Sequence, residues 1–239
     1  MGSFGMIEKF NYFAEKVMRI AQFQLLWIVF TLCGGVIFGI MPATVALYTT
    51  VRKWMMNNND NLSFVKVYWT TFRKEFWKAN ALGIMLALSG LLIYLNLSLI
   101  RFSNGAAYWF LLIFVFMLSI LFFILLLYIF PVYVHFDIKF SRYFSVSLLI
   151  GILSPFHTLL MIIGYYVLIL LFKTIPGLIP FFSVSLFSFL SMWVSMRVFN
   201  RMEKIKECSP VEKESKWKTL FIRNSKPHTN NKGNFGSNN

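Results

Sequence analysis

Few side chains in this sequence could do chemistry. The histidines are His135, His157 and His228. His135 sits in the run Phe130-Pro131-Val132-Tyr133-Val134-His135-Phe136-Asp137, and an imidazole next to a carboxylate could trade protons with a substrate. Residues two apart on a helix do not face each other, however. At the end of an apolar segment a capping or snorkelling role fits His135 better. His157 follows Pro155 at the edge of another apolar segment, where an ionisable group is a functional candidate by default. Cys33 and Cys208 are expected in different compartments and so cannot form a structural disulfide. Neither has a His or Cys at metal-ligand spacing. No catalytic residue, metal or cofactor is therefore assigned, and without a Walker motif the chain does not itself hydrolyse ATP.

The remaining polar candidates lie inside apolar runs. Ser185, Ser188, Ser191 and Ser195 fall within about a third of a helix circumference at the 3.6-residue period. With Asn96 and His157 they form a candidate polar membrane face that could line a solute path. The competing reading is packing, with each serine bonded to the carbonyl one turn back. No Asp, Glu, Lys or Arg falls inside any of these runs, which disfavours an ion-coupled carrier.

These residues are positioned by a chain of 239 residues that is 58% hydrophobic and only 13% charged. A soluble domain carries about 25% charged residues. Charge is missing from five stretches, Ile20–Val51, Ala79–Ile100, Phe102–Phe136, Tyr143–Phe172 and Thr174–Met196. Each is long enough to cross a hydrocarbon core of about 30 Å as a helix. The pattern predicts an all-α, polytopic transmembrane bundle of about five spans, near 20–40, 79–100, 106–130, 145–171 and 175–196. An N-terminal amphipathic segment (1–19) precedes this domain (20–205), and a polar, basic, largely disordered tail (206–239) follows it. A small-x-small signal Thr44-Val45-Ala46 follows the first apolar run, but that run ends too far from the N-terminus for a signal peptide.

The 23 Lys and Arg residues orient the bundle. Arg52–Lys78 carries six of them, Asp137–Arg142 two and the segment from Arg197 onward ten, whereas the other two connections carry only Arg101 and Lys173. The positive-inside rule places the three rich segments, and the C-terminus, in the cytoplasm. Lys9, Lys16 and Arg19 leave the N-terminus open. One crossing near 20–40 puts 18 basic residues inside against 5, and a broken hairpin over 20–56 puts 21 against 2. Thirty-two charge-free residues make a helix of about 48 Å, short for two crossings, so length favours the single crossing. The net charge of +14 would suit nucleic acid, but no binding fold or motif accompanies it.

Two amphipathic pieces lie between the first spans. In 42–56, Ala43, Ala46, Leu47, Thr50, Val51 and Trp54 share a face. In 64–78 the apolar stripe is Val65, Tyr68, Trp69, Phe72 and Phe76, with Lys66, Arg73, Lys74 and Lys78 off it. Both read as helices lying at the membrane interface. A turn is expected at Gly39–Pro42, with a new helix starting at the proline, and a loop at Asn57–Asn61. Gly35 and Gly39 form a GxxxG that would pack this bundle or join a homo-oligomer, and Gly83, Ala87 and Gly90 read as a close helix contact. Glu15 and Arg19 stand at ion-pair spacing.

The sequence from Trp27 to Gly83 resembles the YesL-like family of small bacterial membrane proteins of unknown function. The resemblance rests on Gly39, Pro42, Ala43, Ala46, Leu47, Arg52, Lys53 and Trp54, then on Phe72, Phe76, Lys78, Ala79 and Asn80. Pro131-Val132-Tyr133-x-His135 and Ser154-Pro155 match less specifically. Family members occur beside carbohydrate-uptake transporters and polysaccharide-degrading enzymes in Gram-positive bacteria. The resemblance thus implies a cell-membrane accessory or regulatory protein whose partners are the lipid bilayer and a carbohydrate ABC transporter. The alternative is a small-solute channel or facilitator acting on its own.

Overall fold

A computed structural model describes residues 2–56, 63–100 and 105–207. The loop expected at Asn57–Asn61, Arg101 and the tail from Cys208 onward lie outside these residues. The helices are α1 (Gly2–Cys33), α2 (Ile37–Met56), α3 (Phe64–Ile100), α4 (Ala106–His135), α5 (Phe140–Leu153), α6 (Pro155–Thr174) and α7 (Ile179–Glu207), and no strand occurs among the described residues. A 3-10 turn at Pro176–Leu178 precedes α7. Among the described residues, five segments are long and apolar enough to cross a membrane: Glu8–Cys33, Phe64–Ile100, Tyr108–His135, Pro155–Thr174 and Pro176–Glu203. The chain divides at Val198, and the packing below is that of the part preceding it.

The first turn is not at Gly39–Pro42. α1 runs unbroken from the amphipathic segment to Cys33, and the chain reverses through Gly34, Gly35 and Val36. Gly35 and Val36 both take positive φ, 79° and 56°, a region glycine enters freely and valine only under constraint. α2 then returns along α1. Lys16 Nζ lies 5.9 Å over the Trp54 ring, the rings of Phe23 and Trp54 are 5.6 Å apart, and Trp27 Nε1 donates to Thr44 Oγ1 at 3.1 Å. The two helices form an antiparallel hairpin, so Glu15–Arg19, paired at 2.8 Å, shares an end with Arg52 and Lys53. Pro42 lies inside α2, not at its start. Its missing N–H frees the carbonyl four residues back.

Nor is α2 an interfacial helix. Ten of its 20 residues are buried, from Gly39 to Val51 and on nearly every side. It is the centre of a core that joins Phe23 and Phe30 of α1, Tyr68 and Phe72 of α3, and Met192 of α7. Between helices in lipid, close packing replaces the hydrophobic effect as the cohesive term, and the residues fit that demand. A Cβ on Gly39 would strike the Thr31 backbone carbonyl, and one on Gly83 would strike Met41. Phe30 stacks among Tyr68 (4.8 Å), Phe72 (5.3 Å) and Trp69 (5.7 Å). Tyr68 donates to the Ala43 carbonyl at 2.6 Å. The stripe of 64–78 therefore faces protein through Tyr68, Phe72 and Phe76, while Val65 and Trp69 stay exposed.

The predicted span 145–171 is broken at Ser154 into α5 and α6. Pro155 cannot donate to the Gly151 carbonyl, and Thr158 Oγ1 does so instead, at 3.0 Å, sharing its proton with Ser154 O at 3.1 Å. Because that proton is engaged, the 3.0 Å contact between Thr158 and Tyr128 is donated by the tyrosine. Gly83 and Gly90 serve two different neighbours, Met41 of α2 and Phe122 of α4, and Ala87 is exposed, so the three do not make one contact.

Candidate functional site

The serine face of α7 is turned inward. Ser185, Ser188, Ser191 and Ser195 are all buried. Ser185 receives its neighbours from two directions: its N–H donates to Gln24 Oε1 at 2.9 Å and its hydroxyl to Phe182 O at 3.2 Å. Ser191 donates across the helix interface to Leu127 O of α4 at 3.2 Å. The hydroxyls of Ser188 and Ser195 are buried without a hydrogen-bond partner among the described residues. Asn96 and Ser89 bond their own helix, at Leu92 O and Met85 O, both at 2.8 Å. His157, half-buried, lies edge-on to Phe156. Among the described residues no hydrogen bond or ring contact joins Asn96 or His157 to the four serines, and none of the six lines the cavity described next.

That cavity is an open cleft of about 920 Å³ where the C-terminal part of α2, the N-terminal part of α3, the end of α4 and the start of α5 meet. Each element supplies its polar groups for a local reason. At the foot of α2, Arg52 and Lys53 emerge one turn after the buried Tyr48. On α3, the core stripe Tyr68, Phe72 and Ala79 leaves the opposite side, with Thr70, Lys74 and Lys78, facing the cleft. α4 ends at His135, and Phe136 takes an extended conformation (φ −102°, ψ 137°). Helical spacing therefore stops applying at that point, and His135 and Asp137 both line the cleft, contrary to the expectation that they face apart.

Its walls are tied together by polar contacts, two of them between residues that are 58 and 82 positions apart. Arg52 Nη1 donates to the Val134 carbonyl at 3.2 Å, Tyr133 donates to Glu75 Oε2 at 2.8 Å, and Tyr143 donates to Phe136 O at 3.2 Å. The Tyr133 and Tyr143 rings lie 4.8 Å apart. Four cations (Arg52, Lys53, Lys74, Lys78) face two carboxylates, Glu75 and Asp137, and one of those carboxylates already accepts from Tyr133. The result is a net-positive recess with aromatic sides, suited to holding an anion. Among the described residues no three His, Cys, Asp or Glu side chains converge as a metal would require.

The motif residues singled out in the sequence divide between this cleft and its scaffold. Arg52 and Lys53 line it. Gly39, Pro42 and Ala43 are buried in α2, where they let it approach α1 and α3. Trp54 packs between Phe23 and Phe189, each 5.6 Å away. Asn80 donates to its own helix at Phe76 O, 2.9 Å. Lys74, Glu75, Tyr133 and Tyr143 were not identified as site residues from sequence. For Lys74 the available signal was the side of α3 opposite its aromatic stripe, whereas Tyr133 and Tyr143 lie on α4 and α5 and no local pattern marks them.

A family described as "Protein of unknown function, DUF624" matches residues 20–97, which cover the hairpin and α3. Three Bacillus subtilis (strain 168) proteins are similar over most of their length. The uncharacterized protein YteU is 40% identical over 201 residues, covering 84% of this chain and 89% of its own. YesV is 37% identical (79% and 90%) and YesL 34% identical (82% and 92%), both likewise uncharacterized. No solved structure matches. With that identity sustained across both chains, and with the family's matched segment building the core and two walls of the cleft, the chain belongs to the DUF624 family that includes YesL, YteU and YesV.

Proposed function

We propose that this chain is a non-enzymatic, multi-pass protein of the bacterial cell membrane that assists or regulates a carbohydrate ABC transporter, and that the basic cleft is its recognition site. The observation carrying this reading is the convergence of Arg52, Lys53 and Lys78, all within the family's matched segment, on one recess with Lys74. Fixed charges and hydrogen-bond donors on rigid helices suit binding. The hairpin supports a cytoplasmic position for this recess. With α1 and α2 antiparallel, the N-terminal cations join those of Arg52–Lys78, and the positive-inside rule then has 21 of the 23 Lys and Arg residues on one side, with the C-terminus. The carbohydrate link rests on the family resemblance.

Purification of the tagged full-length chain in mild detergent tests it. Transporter subunits are expected to co-purify, and sugar uptake is expected to fall in a deletion strain. Recovery of the chain alone together with normal uptake overturns the reading.

The unpartnered hydroxyls of Ser188 and Ser195 favour a second reading, a small-solute facilitator. Solute flux into proteoliposomes that is lost when both become alanine would support it.

A further inference from the structure

The side of α3 that lines the cleft does not end there. At 100° per residue, Thr70, Lys74, Lys78 and Ala81 lie on one side of the helix, and Met85, Leu88 and Leu92 continue it within about 40° of Lys74. The first four line the cleft. The last three are exposed, at 46%, 55% and 61% of their surface. From Ala81 to Leu92 the helix rises about 16 Å, close to the depth of one leaflet of a hydrocarbon core of roughly 30 Å. Trp77, 83% exposed, stands at the junction of the polar and apolar parts, the level an indole prefers in a bilayer. A recess with four cations thus opens directly onto an uncovered apolar strip of acyl-chain length.

We propose that the cleft is a binding site for an anionic phospholipid, with the headgroup phosphate held by Lys74 and Lys78 of α3 and Lys53 of α2, and an acyl chain laid along Ala81, Met85, Leu88 and Leu92. The positive charge suits any phosphate. One feature argues for a phosphate carried on a lipid in preference to a free one: the recess is continuous with an exposed apolar strip that a soluble anion would not use. Glu75 and Asp137 also face the recess. Glu75 is turned to Tyr133, and the four cations still outnumber the two carboxylates. Arg52, engaged with the Val134 carbonyl, fixes the wall between α2 and α4. This inference rests on reading the cleft as a recognition site at the membrane surface.

The test uses the purified full-length chain in a neutral detergent, with phosphatidylglycerol and phosphatidylcholine titrated and the bound lipid read by native mass spectrometry. Phosphatidylglycerol is expected to bind at least about tenfold more tightly than phosphatidylcholine, and K74Q/K78Q is expected to remove about that factor. The control K66Q/R73Q deletes two cations from the same stretch of α3 that do not line the cleft, and is expected to change affinity by no more than about twofold. All four side chains are exposed, and unchanged circular dichroism and elution volume verify folding. Equal weakening by both double variants would mean diffuse charge attraction and overturn the site. Displacement of the lipid by inorganic phosphate or glycerol 3-phosphate at comparable concentration would mean a soluble anion and overturn the lipid assignment. No transporter is present in this measurement. Failure of co-purification leaves lipid binding standing, and failure of lipid binding leaves the transporter reading standing.

Discussion

Two polar regions of this molecule invert each other. The serine face of α7 looks, as a string of hydroxyls inside an apolar helix, like the lining of a path. It is buried against α1 and α4 through Gln24 and Leu127. The stretch Arg52–Lys78 looks like a skirt of charge lying on lipid. Tyr68 and Phe72 of its apolar stripe are core, and Arg52, Lys53, Lys74 and Lys78 line a cleft. Small hydroxyl side chains let helices close on one another, whereas long cationic ones on the far side of a packed helix hold space open. In a bundle without internal charge, polarity alone does not mark a site, but side-chain length and what occupies the opposite side of the same helix do.

The largest expected effect tests the scaffold beneath the cleft. Gly39→Leu places a side chain against the Thr31 backbone carbonyl, which cannot move aside. It is expected to destabilise the protein by several kcal/mol. The variant should be lost as a monodisperse peak in detergent, and a wild-type melting curve would refute the hairpin.

Next, the contrast itself can be broken. Ser188→Leu with Ser191→Leu overfills a buried interface and is expected to cost about 1–3 kcal/mol per site. Lys74→Leu with Lys78→Leu, on exposed positions, is expected to stay within about 0.5 kcal/mol. Thermal melting of the two double variants should differ accordingly, and equal losses would erase the distinction.

Thr158→Val is expected to cost about 1 kcal/mol by leaving the Gly151 carbonyl unbonded. In a Pro155→Ala background, where a backbone N–H returns to that carbonyl, the same substitution should cost measurably less. An additive double-mutant cycle would contradict the assigned role.

The smallest effect is a gain. Val36 holds φ 56° with 48% of its surface exposed. Val36→Asn should raise the melting temperature by an amount worth about 1 kcal/mol or less, because asparagine tolerates the left-handed region better.

Five long apolar helices were legible in number, since charge withdraws from them, but the breaks at Gly34–Val36 and Ser154 were not. α2 was not legible as core. Thr44, Tyr48, Arg52 and Lys53, off its apolar face, make it look amphipathic, but Thr44, Thr49 and Thr50 each return their hydroxyl to the carbonyl one turn back, at 2.7–2.8 Å, and behave as apolar residues. Span arithmetic pointed away from the hairpin for a related reason. About 20 apolar residues are needed where lipid surrounds a helix, and α2 is surrounded by protein. The cleft was half legible. Arg52, Lys53 and His135 drew attention singly, but Arg52 and Val134 are 82 positions apart, and no local pattern connects them. Gly39 and Pro42 were marked as a turn, although their use is close approach along the length of a helix.

The burial of α2 also bears on how the chain enters a membrane. Among the described residues α2 is not one of the helices long and apolar enough to cross a membrane. Its partners are α1, made before it, and α3 and Met192, made after it. During synthesis α2 therefore emerges with only one of its protecting surfaces in place. It must either follow α1 in as a pair or wait at the translocation machinery until α3 arrives. Substitutions that loosen the Trp27–Thr44 contact should then show first as a lower yield of inserted protein, before any change in the stability of molecules that have already assembled.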